Sequence, residues 1–420
     1  MRTLDVGIIG AGTAGSAAAT FLARAGHRVT LYERVQEPTA IGAGITLQPT
    51  GLHVLARLGL REAVVSRGSR IERLTCRTPG GRTVVDLNYT SIDPSLFGLG
   101  LHRGVLFEAL FDAARAEPIT LVTGVEIVTH ERVGRRWALV DAAARRHGLH
   151  ELVIVADGAR SQFRDHSGPE KSVTTYPWGA LWAVVPDTRA ASDPRRTTIH
   201  QIAHGNRKFL GLLPTGFGPG DRHERLVSVF WSLRRDEVDA WRARGIDAWR
   251  SEALALAPEA AALLEPIRHE RDMLFATYHD VVMRRWSSSS VVYLGDAAHA
   301  TSPQLGQGCN LALWDAMVLA DVLAEEPHHL DRALHRYDHA RKDHLAYYQV
   351  ATRSLTPFFQ GDIALLGVLR DALMPLCQRV PFMRRMMTEA MLGLSEGFLG
   401  GSLSLASVGV RAPGLQIEAP

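Results

Sequence analysis

Residues 5–15 read DVGIIGAGTAG, and this stretch decides the fold. The apolar run Asp5–Gly10 is typical of a buried strand, and the small-residue run after it, which stops at Gly26, is typical of a helix. A second apolar run, HRVTLYER, then brings the chain to Glu33. A strand, a helix and a strand within about 30 residues indicate a crossover unit, so the chain is expected to begin a parallel sheet.

The glycines of this stretch carry its chemistry. Gly10, Gly12 and Gly15 form a G-x-G-x-x-G motif at the junction of strand and helix. In such a motif the first glycine allows a tight turn, the second lets a pyrophosphate approach the backbone, and the third lets the helix pack closely on the strand. Glu33, at the end of the next strand, can accept hydrogen bonds from ribose hydroxyls. The motif predicts a bound dinucleotide, and by itself it leaves both NAD and FAD open.

Two further apolar runs end in acidic and glycine residues. HELVIVADGARS leads to Asp157 and Gly158, and VVYLGD leads to Asp296. Because ligands bind outside the carboxyl ends of parallel strands, these loops are expected near the first motif. For Asp157 a plain turn is the alternative. After Asp296 the sequence GQGCN precedes a helix, and the free N–H groups of a helix N-terminus would stabilise negative charge on a ligand.

The region from about 175 to 280 has a different residue pattern. Aromatic, strand-like segments such as WGALWAVVP and RLVSVFWSL are separated by proline and glycine. We therefore predict an α/β fold in which a Rossmann-type FAD-binding domain carries an inserted, mostly antiparallel β-sheet substrate domain and C-terminal helices. The predicted bounds are 1–174 and 272–350 for the FAD-binding domain, with a hairpin near 71–97 facing the substrate domain, 175–271 for the substrate domain, and 351–420 for the C-terminal helices and tail.

Helices are expected in six further places. Periodicity and breaker residues place them at 51–67, 104–116, 236–264, 310–324, 329–350 and 355–395. The last of these regions is rich in methionine, which favours plain helix packing over an apolar entrance or a dimer face.

Three motifs in this order, GAGTAG with Glu33, ADGARS, and GDAAHATSPQLGQGCN, resemble the fingerprints of the class A FAD-dependent monooxygenases, the aromatic hydroxylases of the para-hydroxybenzoate hydroxylase type. Further similarity lies in GAGITLQP, in LHRGVLFEAL around Arg103, and in the pair Tyr337 and Arg341. The resemblance extends from residue 5 to about residue 345.

The resemblance implies a set of cofactor contacts. The first motif and Glu33 would bind the ADP half of FAD, Arg103 the phosphate or ribityl region, and Asp296 the ribityl chain. Pro303 would lie beside the reactive flavin edge, and Gly308–Asn310 at its pyrimidine end. The full set of expected cofactor residues is Gly10, Gly12, Ala14, Gly15, Glu33, Arg34, Arg103, Val125, Asp157, Gly158, Gly295, Asp296, Pro303, Gly306, Gly308, Cys309 and Asn310.

The resemblance also implies the reaction. NAD(P)H, a transient cosubstrate, would reduce FAD, O2 would add to it, and the resulting C4a-hydroperoxide would pass one oxygen atom to an aromatic or polyketide-like substrate, most simply by hydroxylation. Pro303 of the third motif is one catalytic candidate, and the aromatic insertion supplies two more, His200 and Tyr278. The insertion also supplies the substrate-lining candidates Tyr176, Trp182 and Trp231.

Composition narrows the remaining classes. The chain has 420 residues, a net charge of +3 and three cysteines, so neither a nucleic-acid surface, a metal site nor a disulfide framework is expected. The glycine-broken N-terminal segment lacks a signal-peptide pattern, and no apolar run is long enough for a membrane span. We therefore expect a cytoplasmic monomer or homodimer.

Two other classes remain as alternatives. One is a different FAD oxidoreductase on the same scaffold, such as a halogenase or a prenyl reductase, although WGALWAVVP lacks the tryptophan arrangement of a halogenase. The other is a flavin-binding protein without turnover. The motifs are intact, which favours the enzyme.

Overall fold

The computed structural model describes residues 2–40, 42–165, 171–397 and 401–409. The strands are β1 (Asp5–Ile9), β2 (Arg28–Glu33), β3 (Gly44–Leu47), β4 (Ser69–Ile71), β5 (Arg73–Arg77), β6 (Thr83–Asn88), β7 (Gly98–His102), β8 (Thr120–Thr123), β9 (Ile127–Val133), β10 (Arg136–Asp141), β11 (Arg146–His150), β12 (Leu152–Val155), β13 (Lys171–Pro186), β14 (Thr198–His204), β15 (Lys208–Phe217), β16 (Arg225–Arg234), β17 (Leu274–Met283), β18 (Ser287–Ser288) and β19 (Val291–Tyr293).

The helices account for most of the rest of the described chain. The α-helices are α1 (Thr13–Arg24), α2 (Pro49–Arg57), α3 (Arg61–Arg67), α4 (Arg103–Ala116), α5 (Val238–Arg244), α6 (Ile246–Leu256), α7 (Ala261–Leu264), α8 (Asp296–His299), α9 (Gly308–Glu325), α10 (Leu330–Phe359), α11 (Ala364–Arg379) and α12 (Pro381–Leu392). Short 3-10 helices lie at Tyr89–Ser91, Phe163–Asp165, Pro194–Thr197, Arg235–Glu237, Pro258–Ala260, Glu270–Asp272, Pro303–Leu305 and Leu405–Val408.

The first sheet is the parallel sheet expected from the opening stretch. Its strand order is β18-β19-β12-β1-β2-β8, and every pair except β18 with β19 is parallel. The four residues of β12 are fully buried, as expected for a strand covered on both faces. Because β19, β12 and β1 are neighbours, the three loops that follow them leave the sheet side by side.

The second sheet is the predicted insertion, and it is mostly antiparallel. Its order is β17-β13-β16-β15-β14-β5-β6, and the parallel pair within it is β14 with β5. The predicted hairpin near residues 71–97 provides β5 and β6. These two strands are part of the second sheet. Helices α5 to α7 cover one face, where Trp231 packs edge-on against Trp249. The predicted domain bounds remain a prediction. Apart from β5 and β6, the strands of the second sheet lie between Lys171 and Met283.

Close backbone contacts hold a small antiparallel sheet, with the strand order β3-β7-β4, against the second sheet. The Gly44 N–H at the start of β3 donates to the Ser228 hydroxyl of β16 at 2.8 Å. A Cβ on Gly100 of β7 would lie 1.8 Å from the carbonyl oxygen of Pro214 in β15, so only glycine permits this approach. The second sheet is therefore packed directly on β3 and β7.

The C-terminal region is helical as predicted, with one difference in length. Helix α10 runs to Phe359 and continues through Pro357, nine residues beyond the expected end at 350. Helices α11 and α12 follow it, and the predicted tail is described as far as Gly409, so residues 410–420 lie outside the described part. Within the described residues, no helix combines the length and apolar character that crossing a bilayer requires.

Candidate active site

Three loops meet at the carboxyl edge of the first sheet. A Cβ on Gly10 would lie 2.6 Å from the Ala156 carbonyl oxygen, so the loop after β1 rests directly on the loop after β12. A Cβ on Gly295 would lie 3.2 Å from the Cβ of Ala14, which brings the loop after β19 onto α1. Gly10 has φ +97° and Gly295 has φ +58°, conformations that other residues rarely adopt. The three motifs therefore meet at this edge of the sheet, as predicted.

Gly12 lies at the open part of this edge. A Cβ added to it would meet nothing within 4 Å, whereas a Cβ on Gly15 would lie 1.9 Å from the Gly10 carbonyl oxygen. Gly12 is also the N-cap of α1, and no side chain caps that helix. The free N–H groups of its first turn can therefore bind an anion that occupies the space beside Gly12.

Glu33 is held next to this helix end. The Ala11 N–H donates to its Oε2 at 2.9 Å, and the Val35 N–H donates to its Oε1 at 3.0 Å. These two bonds fix the carboxylate and leave further lone pairs for ribose hydroxyls. Arg34 and Val125 lie beside it, and the Val125 N–H donates to the Glu33 carbonyl oxygen at 3.1 Å.

The start of α9 is the second open helix end. Its N-cap, Gln307, makes no capping hydrogen bond with its side chain. A Cβ on Gly308 would lie 3.8 Å from Oδ1 of Asp296, whose side chain is exposed. This pairing of a carboxylate with free N–H groups suits a ligand that has both hydroxyls and electron-rich ring atoms.

The side chain of Asn310 is hydrogen-bonded within the protein. Its Oδ1 accepts from the Gln48 N–H at 2.7 Å, and its Nδ2 donates to the carbonyl oxygens of Thr46 and Gly306, both at 3.1 Å. The side chain thus fixes β3 to the start of α9. The expected cofactor contact of Asn310 remains a prediction, and its backbone is the part free to make it.

Arg103 approaches the same place from α4. Its side chain packs on Gly42, where an added Cβ would lie 3.1 Å away. Both Arg103 and Asp296 are close enough to act electrostatically on Cys309, although burial is what raises the pKa of that thiol to about 12. Cys309 is therefore uncharged, and Arg103 is a cation near the start of α9.

Arg164 is a positioning residue that sequence reasoning missed. Its guanidinium is buried, and it donates to the Ala297 carbonyl oxygen at 2.8 Å and to the Ala159 carbonyl oxygen at 2.7 Å. One side chain thus ties the loop after β12 to the loop after β19. Its place three residues after the ADGARS motif was the available signal.

Asp157 has an unusual environment at the centre of the edge. Its Oδ1 is buried and lacks a hydrogen-bond partner among the described residues. Burial raises the pKa of this carboxyl to about 6, although Ser161, Arg164 and Arg34 act in the opposite direction. The side chain therefore changes charge near neutral pH.

We expect Asp157→Asn to stabilise the FAD-free protein above pH 6. The folded state binds more protons than the unfolded state between about pH 4 and pH 6, because the folded pKa is the higher one, so stability falls as pH rises through this window. Removing the charge should recover on the order of 2 kcal/mol at pH 8 and almost nothing at pH 4.

Thermal melting of both proteins across this pH range measures the difference. Asp112→Asn is the matched control, because that side chain is 72% exposed on α4 and its removal should leave the pH profile unchanged. A variant that melts lower than the parent at every pH would contradict the expectation.

Asp315 organises a buried network behind the third loop. Its Oδ2 accepts from the Gly295 N–H at 2.8 Å and from His299 Nε2 at 2.6 Å, and its Oδ1 accepts from Arg341 Nε at 2.7 Å. Arg341 also donates to His344 Nδ1 at 2.7 Å, and His344 Nε2 donates to the Gly393 carbonyl oxygen at 3.1 Å. The network joins the loop before Asp296 to α9, α10 and the C-terminal segment.

A group of hydroxyl side chains lies beside Pro303. Ser302 precedes Pro303, and its hydroxyl lies 2.6 Å from that of Thr356 in α10. The hydroxyl of Tyr176 is buried and lies close to both hydroxyls, but it forms no hydrogen bond of regular geometry with a described residue. Burial raises the pKa of Tyr176, so it remains a neutral donor.

Trp182 and Tyr278 lie in neighbouring strands of the second sheet, β13 and β17. The indole N–H of Trp182 donates to the Tyr278 hydroxyl at 3.2 Å. Trp182 begins a row of rings whose centroids are 5.2, 5.4 and 5.5 Å apart, and the row continues through Phe230 and Phe209 to Phe359. These rings supply an apolar wall, consistent with the expected lining role of Trp182.

The structure does not bring His200 and Trp231 to the side of Trp182. Trp231 pairs with Leu181 and Leu210, and all three belong to the core under α5 to α7. His200 pairs with Leu212 on the same helix-covered face, where it lines a cleft of about 350 Å³. Burial lowers its pKa to about 4, and Nδ1 lies 3.1 Å from the Thr75 hydroxyl. Both expected roles are corrected, because these side chains face away from Pro303.

The open positions fit an elongated dinucleotide with a ring system. The space at Gly12 suits a pyrophosphate, Glu33 a ribose, Asp296 a polyhydroxyl chain, and the start of α9 an electron-rich ring edge. Among the described residues, no group of His, Cys, Asp and Glu side chains is arranged to hold a metal ion.

Known proteins share this architecture. A family model described as FAD binding domain matches residues 3–351. A probable 2-heptyl-3-hydroxy-4(1H)-quinolone synthase from Rhodococcus erythropolis is 29% identical over 322 residues, which cover 76% of this chain and 79% of the relative. A 3-amino-4-hydroxybenzoate 2-monooxygenase from Streptomyces cremeus is 27% identical over 392 residues, which cover 85% and 88%.

A solved structure gives the same result for the fold. The crystal structure of a Klebsiella pneumoniae HpxO variant in complex with FAD superposes with a TM-score of 0.76 at 21% identity, covering 93% of this chain and 99% of that chain.

Proposed function

The chain belongs to the FAD-binding domain family of FAD-dependent aromatic hydroxylases, and from this premise we propose that it is a single-component monooxygenase that takes its electrons from NAD(P)H. FAD is its cofactor, and its activity is the monooxygenation of an aromatic substrate. We place the enzyme in the cytoplasm, where NAD(P)H is available and its three cysteines stay reduced. The comparisons do not favour the alternatives of a halogenase, a prenyl reductase or a flavin-binding protein without turnover.

The observation that carries the proposal is the alignment of two features. Open backbone at Gly12 and at the start of α9 marks the two ends of a cofactor groove along the first sheet. The row of rings that begins at Trp182 on the second sheet ends at Phe359 in α10. Phe359 is three residues after Thr356, whose hydroxyl lies 2.6 Å from that of Ser302, the residue before Pro303. A substrate between Pro303 and this row would be held next to the cofactor and away from water.

FAD, when bound, supplies the electron transfer and the oxygen activation. The residues of the chain position and shield the reactants. The N–H groups at the start of α9 stabilise negative charge at the ligand edge they face, and the ring row excludes water from the substrate side. Tyr176 offers a neutral hydroxyl to a polar substituent of the substrate.

We infer that the substrate is a hydroxylated aromatic or nitrogen heteroaromatic ring. The relatives above carry the names of a heptyl-hydroxyquinolone synthase and an aminohydroxybenzoate monooxygenase, which share a ring with a hydroxyl or oxo group. In this chain, Tyr176 would pair with such a group while Trp182 and Phe230 contact the ring face. Tyr278, bonded to Trp182, is retained as a candidate catalytic residue.

Purification and turnover test the proposal directly. The protein should be yellow, release FAD on denaturation, and consume NADH or NADPH faster when the correct aromatic substrate is present. With labelled O2, the product should gain one labelled oxygen atom. A yellow protein that oxidises neither nicotinamide with any member of a broad panel of phenols and hydroxyquinolines would contradict the proposed activity.

Tyr176→Phe is expected to lower kcat/KM for the substrate by roughly tenfold, because one buried hydrogen bond to the substrate is lost. FAD affinity should not change, since the hydroxyl lies on the side of Ser302 and Thr356. Tyr32→Phe is the control, because that hydroxyl lies 3.0 Å from His150 between β2 and β11. Equal loss in the two variants would show that Tyr176 has no role toward the substrate.

A further inference from the structure

Helix α11 exposes an apolar face. Of the fourteen large apolar side chains that are exposed among the described residues, eight lie between residues 363 and 382. Five of them recur at helical spacing within α11, which places these five on one side of the helix, and the other three flank it at Ile363, Val380 and Phe382. The eight residues are Ile363, Leu365, Val368, Leu369, Leu373, Leu376, Val380 and Phe382, and we call them the α11 face.

The inner side of α11 is polar, so the helix cannot turn this face inward. Arg370 is buried and donates to the carbonyl oxygens of Gly205 and Phe358 at 2.9 and 3.0 Å. Gln378 donates to the Val84 carbonyl oxygen at 2.7 Å and accepts from the Asp86 N–H at 2.6 Å. Rotation of the helix would leave these buried polar groups without partners. The exposure of the α11 face is therefore fixed by the fold.

A continuous apolar face of this extent is rare on a protein that has no partner. Phe382 and Ile363 are each 63% exposed, and Val368 is 64% exposed. Scattered apolar residues on a surface need no explanation, but a contiguous patch marks a surface that another apolar body covers.

The charges around the α11 face indicate what kind of partner surface covers it. Arg379 follows Leu376 by three residues and Arg384 follows Val380 by four, and among the described residues neither has an acidic partner. The neighbouring acids are already paired: Asp362 with Arg234, Asp371 with Arg370, and Glu389 with Arg385. The rim of the patch therefore carries uncompensated positive charge.

We propose that the α11 face docks on a membrane surface containing anionic phospholipids. Apolar side chains with arginines at their border are the combination that inserts into the headgroup region while the cations meet lipid phosphates. A second copy fits less well, because a two-fold interface places the same patch on both sides, and the acids near this patch are already paired and offer no partner to the arginines of another chain. The proposal is independent of the reaction that the enzyme catalyses.

Vesicle sedimentation of the FAD-loaded protein tests the proposal. We expect binding to vesicles of phosphatidylcholine mixed with phosphatidylglycerol, weaker binding to phosphatidylcholine alone, and a decrease with added salt. Leu373→Glu with Leu376→Glu should lower the partition coefficient more than tenfold. Arg379→Glu should lower it roughly fivefold or more.

Leu274→Glu is the matched control, because Leu274 is 63% exposed on β17, outside the α11 face. Its partition coefficient should equal that of the parent, and bound FAD and melting temperature should be unchanged in all variants. The proposal is overturned if the parent does not bind the anionic vesicles, or if Leu274→Glu weakens binding as much as the α11 substitutions. It is equally overturned if light scattering shows a dimer that Leu373→Glu converts to a monomer while vesicle binding stays absent, since the occupant is then a second copy.

Discussion

Gly12→Val is expected to give a folded protein whose affinity for FAD is reduced by roughly a hundredfold or more. An added Cβ meets no protein atom within 4 Å, and the backbone at Gly12 has φ −75°, which valine adopts without strain. The folded state should therefore tolerate the substitution. The same space is where a pyrophosphate must approach the N–H groups of α1, and a branched side chain there excludes it.

Titration of the FAD-free variant with FAD, followed by flavin fluorescence, measures the loss. Gly80→Val is the control, because Gly80 is also open, lies in the turn between β5 and β6, and is far from the first sheet edge. Gly15→Ala provides the contrast, since its Cβ would lie 1.9 Å from the Gly10 carbonyl oxygen and should impair folding itself. Unchanged FAD affinity in Gly12→Val would mean that the first motif does not hold the cofactor.

The sequence predicted this part of the site because each element of it is local. The turn at Gly10, the close helix packing at Gly15 and the carboxylate of Glu33 lie within one crossover unit, so their spacing alone defines their geometry. The meeting of the three loops followed from a general property of parallel sheets, and β19, β12 and β1 are indeed adjacent.

The face of a strand was harder to predict when both faces are buried. Trp182 and Trp231 lie in neighbouring strands, but Trp182 pairs with Phe230 and Trp231 pairs with Leu181, so they face opposite sides. Helices α5 to α7 cover one side and the first domain approaches the other, which removes the apolar and polar alternation that normally marks a face. For this reason the sequence did not reveal that Trp231 and His200 lie on the helix-covered face of the sheet.

Polar contacts between residues far apart in the chain could not be predicted from the sequence either. Arg164 bridges two loops that are separated by more than a hundred residues, and the buried network around Asp315 reaches from Gly295 to Gly393. Family similarity pointed to Arg341 without its partner, because nothing in the spacing of an arginine and an aspartate on different helices fixes their contact. Such pairs can be recognised only when the packing of α9 against α10 is known.

Asp315→Ala is expected to destabilise the protein by about 3–5 kcal/mol, the cost of breaking a fully buried ion pair by removing one partner. Arg341 and His299 would remain buried without the carboxylate, and the Gly295 N–H would lose its acceptor. Asp321→Ala is the control on the same helix. Its pair with Arg57 is 39% exposed on both sides, so its loss should cost no more than about 1 kcal/mol. Chemical unfolding of the FAD-free proteins measures both values.

The pH dependence of stability should reveal the ion pairs of Asp315 in the parent protein. Burial alone would raise the pKa of Asp315, but His299, Arg341 and the Gly295 N–H outweigh it and hold the pKa below the ordinary value of 3.8. A carboxyl with a lowered folded pKa stabilises the protein above its unfolded pKa, and the contribution is lost as pH falls toward the folded pKa. The stability gap between the parent and Asp315→Ala should therefore be constant above pH 5 and narrow below pH 4. A gap that instead persists unchanged into acid would show that the variant loses packing rather than charge. Because Gly295 precedes Asp296, FAD affinity should fall in Asp315→Ala and stay normal in Asp321→Ala.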